Sequence, residues 1–280
     1  MNGIKLTLPS VSGRVSLIET DLRTGKRRVL FRKQNLVVSN FYEQIVYLIA
    51  GDLAGDPTDR KIGYMSFGEN GAAPTIGDTT ITNPYNATIT SYSYPDSASV
   101  NFRTVLDGSE ANGKPVQEAG LTFNNTGNGI AARINFPGVM TKNQYFSWEF
   151  NWTLSFGECE APALNTLRTQ LCHLLAGDSS GRSIQYMQFG CGAQVVDPTQ
   201  TRLQYPIVPV KEIDSATFPS TYVVRFSASL DEDEGNGFKI SEVGLMTGDG
   251  TIVARDVFGP KEKDEEHTLL VYFDLRSYSV

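Results

Sequence analysis

The chain has 280 residues, of which 40% are hydrophobic and 20% charged, with a formal net charge of −7 at pH 7 and a pI near 5.0. That balance describes folded domains, not a disordered chain, and it argues against a nucleic-acid partner, which needs clustered Lys and Arg. Its three cysteines, Cys159, Cys172 and Cys191, form no even framework and are expected as reduced thiols.

Residues 1–9 lack the apolar core of a secretory signal and no stretch is long enough to span a bilayer, so neither export nor a membrane is expected. Asn86, Asn124 and Asn151 head Asn-x-Thr triplets, which matter only in a secretory pathway. Two β-rich runs, residues 14–20 and 29–38, flank Asp21-Leu22-Arg23-Thr24-Gly25-Lys26 and predict a hairpin. Its tip carries the basic cluster Lys26, Arg27 and Arg28, with Arg32 and Lys33 beyond. Asn40 then reads as an N-cap, with Glu43 completing a capping box. Phe41, Ile45, Leu48 and Ile49 form the helical stripe, and Gly51 ends it.

Short β-runs follow. Residues 64–68 read as a buried strand closing on Gly68, and residues 99–106 offer Val100, Phe102 and Val105 to the core. Gly127-Asn128-Gly129 is turn chemistry, and residues 146–152 alternate apolar and polar, so one face is buried. After Asn165 and Thr166 comes a second helical stripe of Leu167, Leu171, Leu174 and Leu175, closed by Gly177. Strands at 186–190, 221–230 and 269–275 follow, with Val223, Phe226 and Leu230 as core candidates and Gly248-Asp249-Gly250 as a turn.

The second series restates the first. Leu48–Asp52 returns at Leu174–Asp178, Arg60–Gly68 at Arg182–Gly190, Val116–Leu121 at Ile240–Leu245, and Ile130–Arg133 at Ile252–Arg255. The order is kept, and six glycines recur as structural positions: Gly51, Gly68 and Gly120 with Gly177, Gly190 and Gly244. The expected fold class is therefore mainly β (α+β), with two tandem homologous domains. Each is a short helix plus an antiparallel β-sandwich or barrel, and the first carries an extra N-terminal β-hairpin. The expected boundaries are 1–38 for the hairpin extension, packed on the first domain or a neighbour, 39–157 for the first repeat and 158–280 for the second.

Chemistry-bearing residues are sparse. The two histidines, His173 and His267, have no Cys or His at metal-ligand spacing, and Tyr47 at the matching place makes His173 a packing position. Asp231, Asp233 and Glu242 fall at positions one, three and twelve of a calcium loop, although position six is Asn236 where Gly is needed. They are the only metal candidates; a solvated hairpin tip is the competing reading. Of the recurring carboxylates, Asp52 and Asp178 follow helix-stopping glycines, while Glu118 and Glu242 are expected to bond backbone groups across a hairpin. No catalytic or cofactor-binding residue is expected.

The run from Asp21 to Lys26, then Gln34-Asn35-Leu36-Val37-Val38-Ser39-Asn40, a short helix, Ile62–Gly68 and Asp78-Thr79-Thr80 resembles tail, baseplate and fibre-attachment proteins of bacteriophages. The second copy keeps Phe189-Gly190-Cys191-Gly192 and Asp197-Pro198-Thr199. The resemblance implies a virion structural protein that is not an enzyme and needs no cofactor. It would be assembled in the host cytoplasm, with other copies of itself (trimer or hexamer) and other virion structural proteins as partners. Alternatives are a head or neck decoration protein, or a carbohydrate-binding or carbohydrate-degrading receptor module. For the last, Tyr85, Tyr92 and Tyr94 are the aromatics to examine.

Overall fold

The computed structural model describes residues 3–51, 60–124, 126–127, 129–207 and 210–277. β1 (Ile4–Thr7), β2 (Val11–Asp21) and β3 (Arg27–Val37) precede α1 (Ser39–Ala50). Then come β4 (Tyr64–Gly68), β5 (Tyr85–Thr88), β6 (Ser91–Asp96), β7 (Ser99–Leu106), β8 (Pro115–Thr122), β9 (Ile130–Thr141) and β10 (Phe146–Phe156). α2 (Asn165–Ala176) opens the rest: β11 (Ile184–Gly190), β12 (Lys211–Glu212), β13 (Ser215–Ser220), β14 (Val223–Leu230), β15 (Lys239–Thr247), β16 (Ile252–Glu262) and β17 (Leu269–Arg276). The class is mainly β, as expected.

After α1 the strands pair β5-β4-β8-β9 and β10-β7-β6; after α2 they pair β12-β11-β15-β16 and β17-β14-β13, in the same order. The β2–β3 hairpin makes the difference. β2 runs antiparallel along all of β10, from Val11↔Phe156 to Asp21↔Phe146, while β3 touches β9 at Leu36↔Arg133 and Val37↔Ala132. The hairpin thus welds the two groups into one curled nine-stranded sheet. Past α2 the groups stay separate four-stranded sheets, and β1 lies parallel to β17, from Ile4↔Phe273 to Thr7↔Arg276. Both β10 and β17 are thereby covered along an edge that would otherwise be open to pairing.

Period-two alternation builds the core. Trp148, Phe150, Trp152, Leu154 and Phe156 point inward from β10 and meet Val15 and Leu17 of β2. Both indoles are satisfied: Trp148 Nε1 donates to Glu19 Oε2 at 3.0 Å and Trp152 Nε1 to Asn35 Oδ1 at 3.0 Å. On β7 the inward set is Val100, Phe102, Thr104 and Leu106, so Val105 lies on the other face and leaves the core list. One hydrophobic cluster takes residues from both sides of α2.

The helix starts correct the capping-box reading. α1 begins two residues earlier, with buried Val38 at the N-cap and no side-chain cap; Asn40 Nδ2 instead donates to Ile130 O at 3.1 Å. The chain enters the helix from the core, held by Val38 N to Ala131 O (3.1 Å) and Ser39 N to Ile76 O (2.8 Å). α2 is entered alike, through Leu164 N to Val253 O (2.9 Å) and Asn165 N to Pro198 O (2.8 Å). Strand anchoring replaces the side-chain cap. The stops are as read: Gly51 and Gly177 have φ of +54° and +67°, values that favour glycine.

The helices also exchange neighbours. α1 packs on β9 and on β14, and α2 packs on β16 and on β7, while α1 and α2 touch each other. Tyr47 of α1 stacks on Phe218 of β13 with centroids 4.4 Å apart, and His173 of α2 meets Tyr94 of β6 at 4.3 Å. A Cβ added at Gly51 would strike Ser183, and one added at Gly177 would strike Lys61. Each contact has its reciprocal, the pattern of a self-complementary two-fold interface.

Candidate functional site

Two long loops, one after β4 and one after β11, are each tied down by a buried ion pair. Glu118 and Arg133, on β8 and β9, are 0% and 2% exposed, and Arg133 Nε donates to Glu118 Oε2 at 2.7 Å. Glu118 Oε1 accepts from Asn70 N (3.1 Å) and Thr82 N (2.8 Å), at the two ends of the first loop. Arg133 adds Nη1 to Asp78 Oδ2 (2.8 Å) and Nη2 to Asn70 O (3.2 Å). In the second loop Glu242 Oε1 accepts from Gly192 N (2.9 Å) and Tyr205 N (2.7 Å), and Oε2 from Gln204 N (3.0 Å) and Arg255 Nε (2.9 Å). Arg255 Nη1 donates to Gln194 O (3.0 Å) and Gln200 Oε1 (2.9 Å). A buried pair is tolerable only when most of its remaining lone pairs and protons are satisfied. Here loop backbone does much of that, with the Asp78 and Gln200 side chains. Arg255 Nη2 is left with the ionic contact to Glu242 Oε2 at 2.7 Å but no hydrogen bond.

The geometry explains the glycines that close β4 and β11. A Cβ on Gly68 would lie 2.6 Å from Glu118 Oε1 and from Thr82 O; on Gly190, 2.6 Å from Glu242 Oε1 and from Tyr205 O. Close approach is the reason, not positive φ. Gly120 and Gly244 likewise face Ile81 and Leu203, with added Cβ distances of 2.9 and 3.1 Å. Burial raises the Glu242 carboxyl, but donors from Tyr205, Gln204 and Arg255 outweigh it and leave the group below its ordinary range. Asp78 is lowered in the same way, by Thr75 and Arg133 against burial.

The loops differ at one point. Arg133 faces two carboxylates, Glu118 and Asp78, whereas Arg255 has Glu242 and the neutral amide of Gln200. Beside Arg255 lies a cavity of about 500 Å³ lined by polar side chains that include Gln194, Gln200, Arg202, Gln204 and the exposed Tyr205. A second concavity, about 430 Å³, sits on the outer face of β10, β2 and β3, with Arg14, Ser16, Arg32, Lys33, Asn151 and Thr153 on its walls.

The calcium candidates do not converge. Glu242 is taken up by Arg255 and loop amides, while the turn holding Asp231 and Asp233 is filled by an ammonium. Lys263, 3% exposed, sends Nζ to Asn236 Oδ1 (2.9 Å), Asp264 O (2.6 Å) and Glu232 O (3.5 Å). Among the described residues no group of three or more His, Cys, Asp or Glu is placed to hold a metal. The loop after β7 is built alike: Lys142 Nζ reaches Glu110 O (2.8 Å) and Asn112 Oδ1 (3.0 Å), and burial lowers its pKa.

This recurrence was present in the sequence and is the missed signal. Asp107-Gly-Ser-Glu110-Ala-Asn112-Gly113 matches Asp231-Glu-Asp-Glu234-Gly-Asn236-Gly237, with Lys142 and Lys263 downstream. Asn112 Nδ2 donates to Gly108 O and Asn236 Nδ2 to Glu232 O, each at 2.7 Å.

Asp178 does more than follow a helix stop. Its Oδ1 accepts Ser180 N at 2.6 Å, and its Oδ2 takes the Tyr94 hydroxyl and lies 2.8 Å from His173 Nδ1. Burial raises this carboxyl, yet Tyr94, His173 and Ser180 bring it down to about 2. Tyr94 is thus committed to the contact between β6 and α2, and Tyr85 donates to Glu110 at 3.2 Å. Tyr92, 43% exposed, has its ring 5.8 Å from that of Tyr94. Asp52 lies outside the described residues. Burial raises the thiols of Cys159 and Cys172 to about 11 and about 12, and both cysteines are free. No helix among the described residues is long and apolar enough to cross a membrane. No family model, curated protein or solved structure matches the chain.

Proposed function

We propose that the chain is a non-enzymatic structural protein of a bacteriophage virion, a tail or baseplate component that assembles with copies of itself and with neighbouring virion proteins. The observation that carries this reading is the use of buried charge. Glu118–Arg133, Glu242–Arg255, Lys142 and Lys263 each fix a loop at an equivalent position on either side of α2. Such bracing suits surfaces that must be presented in one shape to a partner. The phage resemblance of residues 14–90 gives the assembly its kind.

On this reading the two halves are copies of one unit, supported by the shared pairing order and the reciprocal helix contacts. Three such chains present six similar surfaces, suited to a ring on the tail axis. The copy number in purified particles, measured by quantitative mass spectrometry, is expected to be a multiple of three. Hundreds of copies would assign the chain to the head instead, and its absence from particles would overturn the proposal. A saccharide-binding module is the second reading, favoured by the polar cavity beside Tyr205. Glycan-array binding lost on Tyr205→Ala would support it.

A further inference from the structure

We infer that the chain associates head to tail, with the acidic turn Asp231–Asp233 of one copy seated in the basic groove on the β2–β3 hairpin of the next. The inference names a contact for the assembly role proposed above, but its grounds are charge and shape on this chain alone. On a protein of net charge −7, residues 14–33 carry seven Lys or Arg against two carboxylates. Three of those cations, Arg14, Arg32 and Lys33, line the groove of about 430 Å³. Arg14 and Arg32 are exposed and pair with no carboxylate among the described residues, and Lys33 meets only the neutral oxygens of Asn135.

The other side of the contact is a convex strip of opposite sign. Residues 231–234 are four successive carboxylates; Asp231, Glu232 and Asp233 are exposed and pair with no cation among the described residues. The turn is held in shape from beneath, by Lys263 through the Glu232 carbonyl and Asn236, and by Lys211, whose Nζ donates to Glu234 at 2.6 Å. Little backbone freedom of the turn remains to be lost when it docks.

The location of the two features sets the mode of association. The hairpin tip abuts the loop after β7, since a Cβ on Gly108 would lie 3.0 Å from Leu22 Cδ1, and also the β9–β10 connection, where Leu22 N donates to Tyr145 O at 2.8 Å. The acidic turn is the matching loop after β14, where no hairpin exists. The groove lies down the hairpin from that tip, at Arg14↔Thr153 rather than Asp21↔Phe146. The half that carries the acidic turn has no hairpin and so no such groove; the two devices are unlike surfaces. Unlike surfaces that meet head to tail generate rings or filaments, not closed two-fold dimers.

Sedimentation velocity on the purified full chain tests this at about 0.01 M and about 1 M salt, where the Debye length is about 30 Å and about 3 Å. Association is expected at low salt and dissociation at high salt. Arg14→Glu with Arg32→Glu, or Glu232→Lys with Asp233→Lys, should each weaken association at least tenfold. Mixing the two reversed chains should restore a complex, because an acidic groove then meets a basic turn. Neutral variants Arg32→Gln and Asp233→Asn, checked for unchanged melting, should give smaller losses of the same sign. A monomer at low salt, association indifferent to all four residues, or folded reversed chains that fail to pair would overturn the inference. So would saturable binding of inorganic phosphate in the groove without association. Particle copy number is measured separately, so failure here leaves the virion reading to its own test.

Discussion

At the scale of single residues, the buried ion pairs set the energetics of the two loops. Removing one member of such a pair leaves an uncompensated charge, a loss of about 3–5 kcal/mol. Arg133→Met should therefore lower the unfolding free energy by about that amount, and restoring neutrality with Glu118→Gln in the same chain should recover part of it, measured by urea titration. Gly68→Val and Gly190→Val should each cost about 1–3 kcal/mol by overpacking, because the added Cβ meets backbone and carboxylate oxygens 2.6 Å away. Unchanged melting would show that strand ends yield without cost. Asp178 gives the pH dependence. Its folded pKa of about 2 lies below the ordinary 3.8, so its contribution is present above about pH 4 and is lost as pH falls toward 2. Asp178→Asn should flatten the stability curve in that window.

At the scale of elements, much was legible before any coordinates. A period-two run located β10, a largely apolar run located β17, and a glycine stop closed each helix, because these signals are local. The helix starts were not legible: Val38 and Leu164 are held by strands far along the chain, which no capping pattern encodes. Val105 was misplaced by one residue, and one residue in a strand changes the face. Glu118 and Glu242 were read as backbone-bonding groups, but their arginines lie on the next strand and only the fold brings them together. The placement of β1 also escaped, since four residues carry too little pattern to name a partner. Deleting residues 1–9 should expose the edge of β17, raising amide exchange across residues 273–276 while leaving β10 protected by β2; mass-spectrometric exchange reads both.

At the scale of the whole molecule, the exchanged helices make the halves hold one another by more than the chain between them. A protease site inserted near Glu158 and Glu160, both exposed, should be cut without separating the pieces on size exclusion. Separation on cutting would show that the junction, not the packing, keeps them together. The parallel pairing of β1 with β17 has a consequence in time. Residue 4 leaves the ribosome 265 positions ahead of the start of β17, which at about 5–20 residues per second is roughly 13–53 s. Throughout that wait the nascent strand has no native partner, and the sheet it belongs to is still being translated. Its docking therefore waits on completion of the second half, and the two ends of the polypeptide are joined only once the whole has been made.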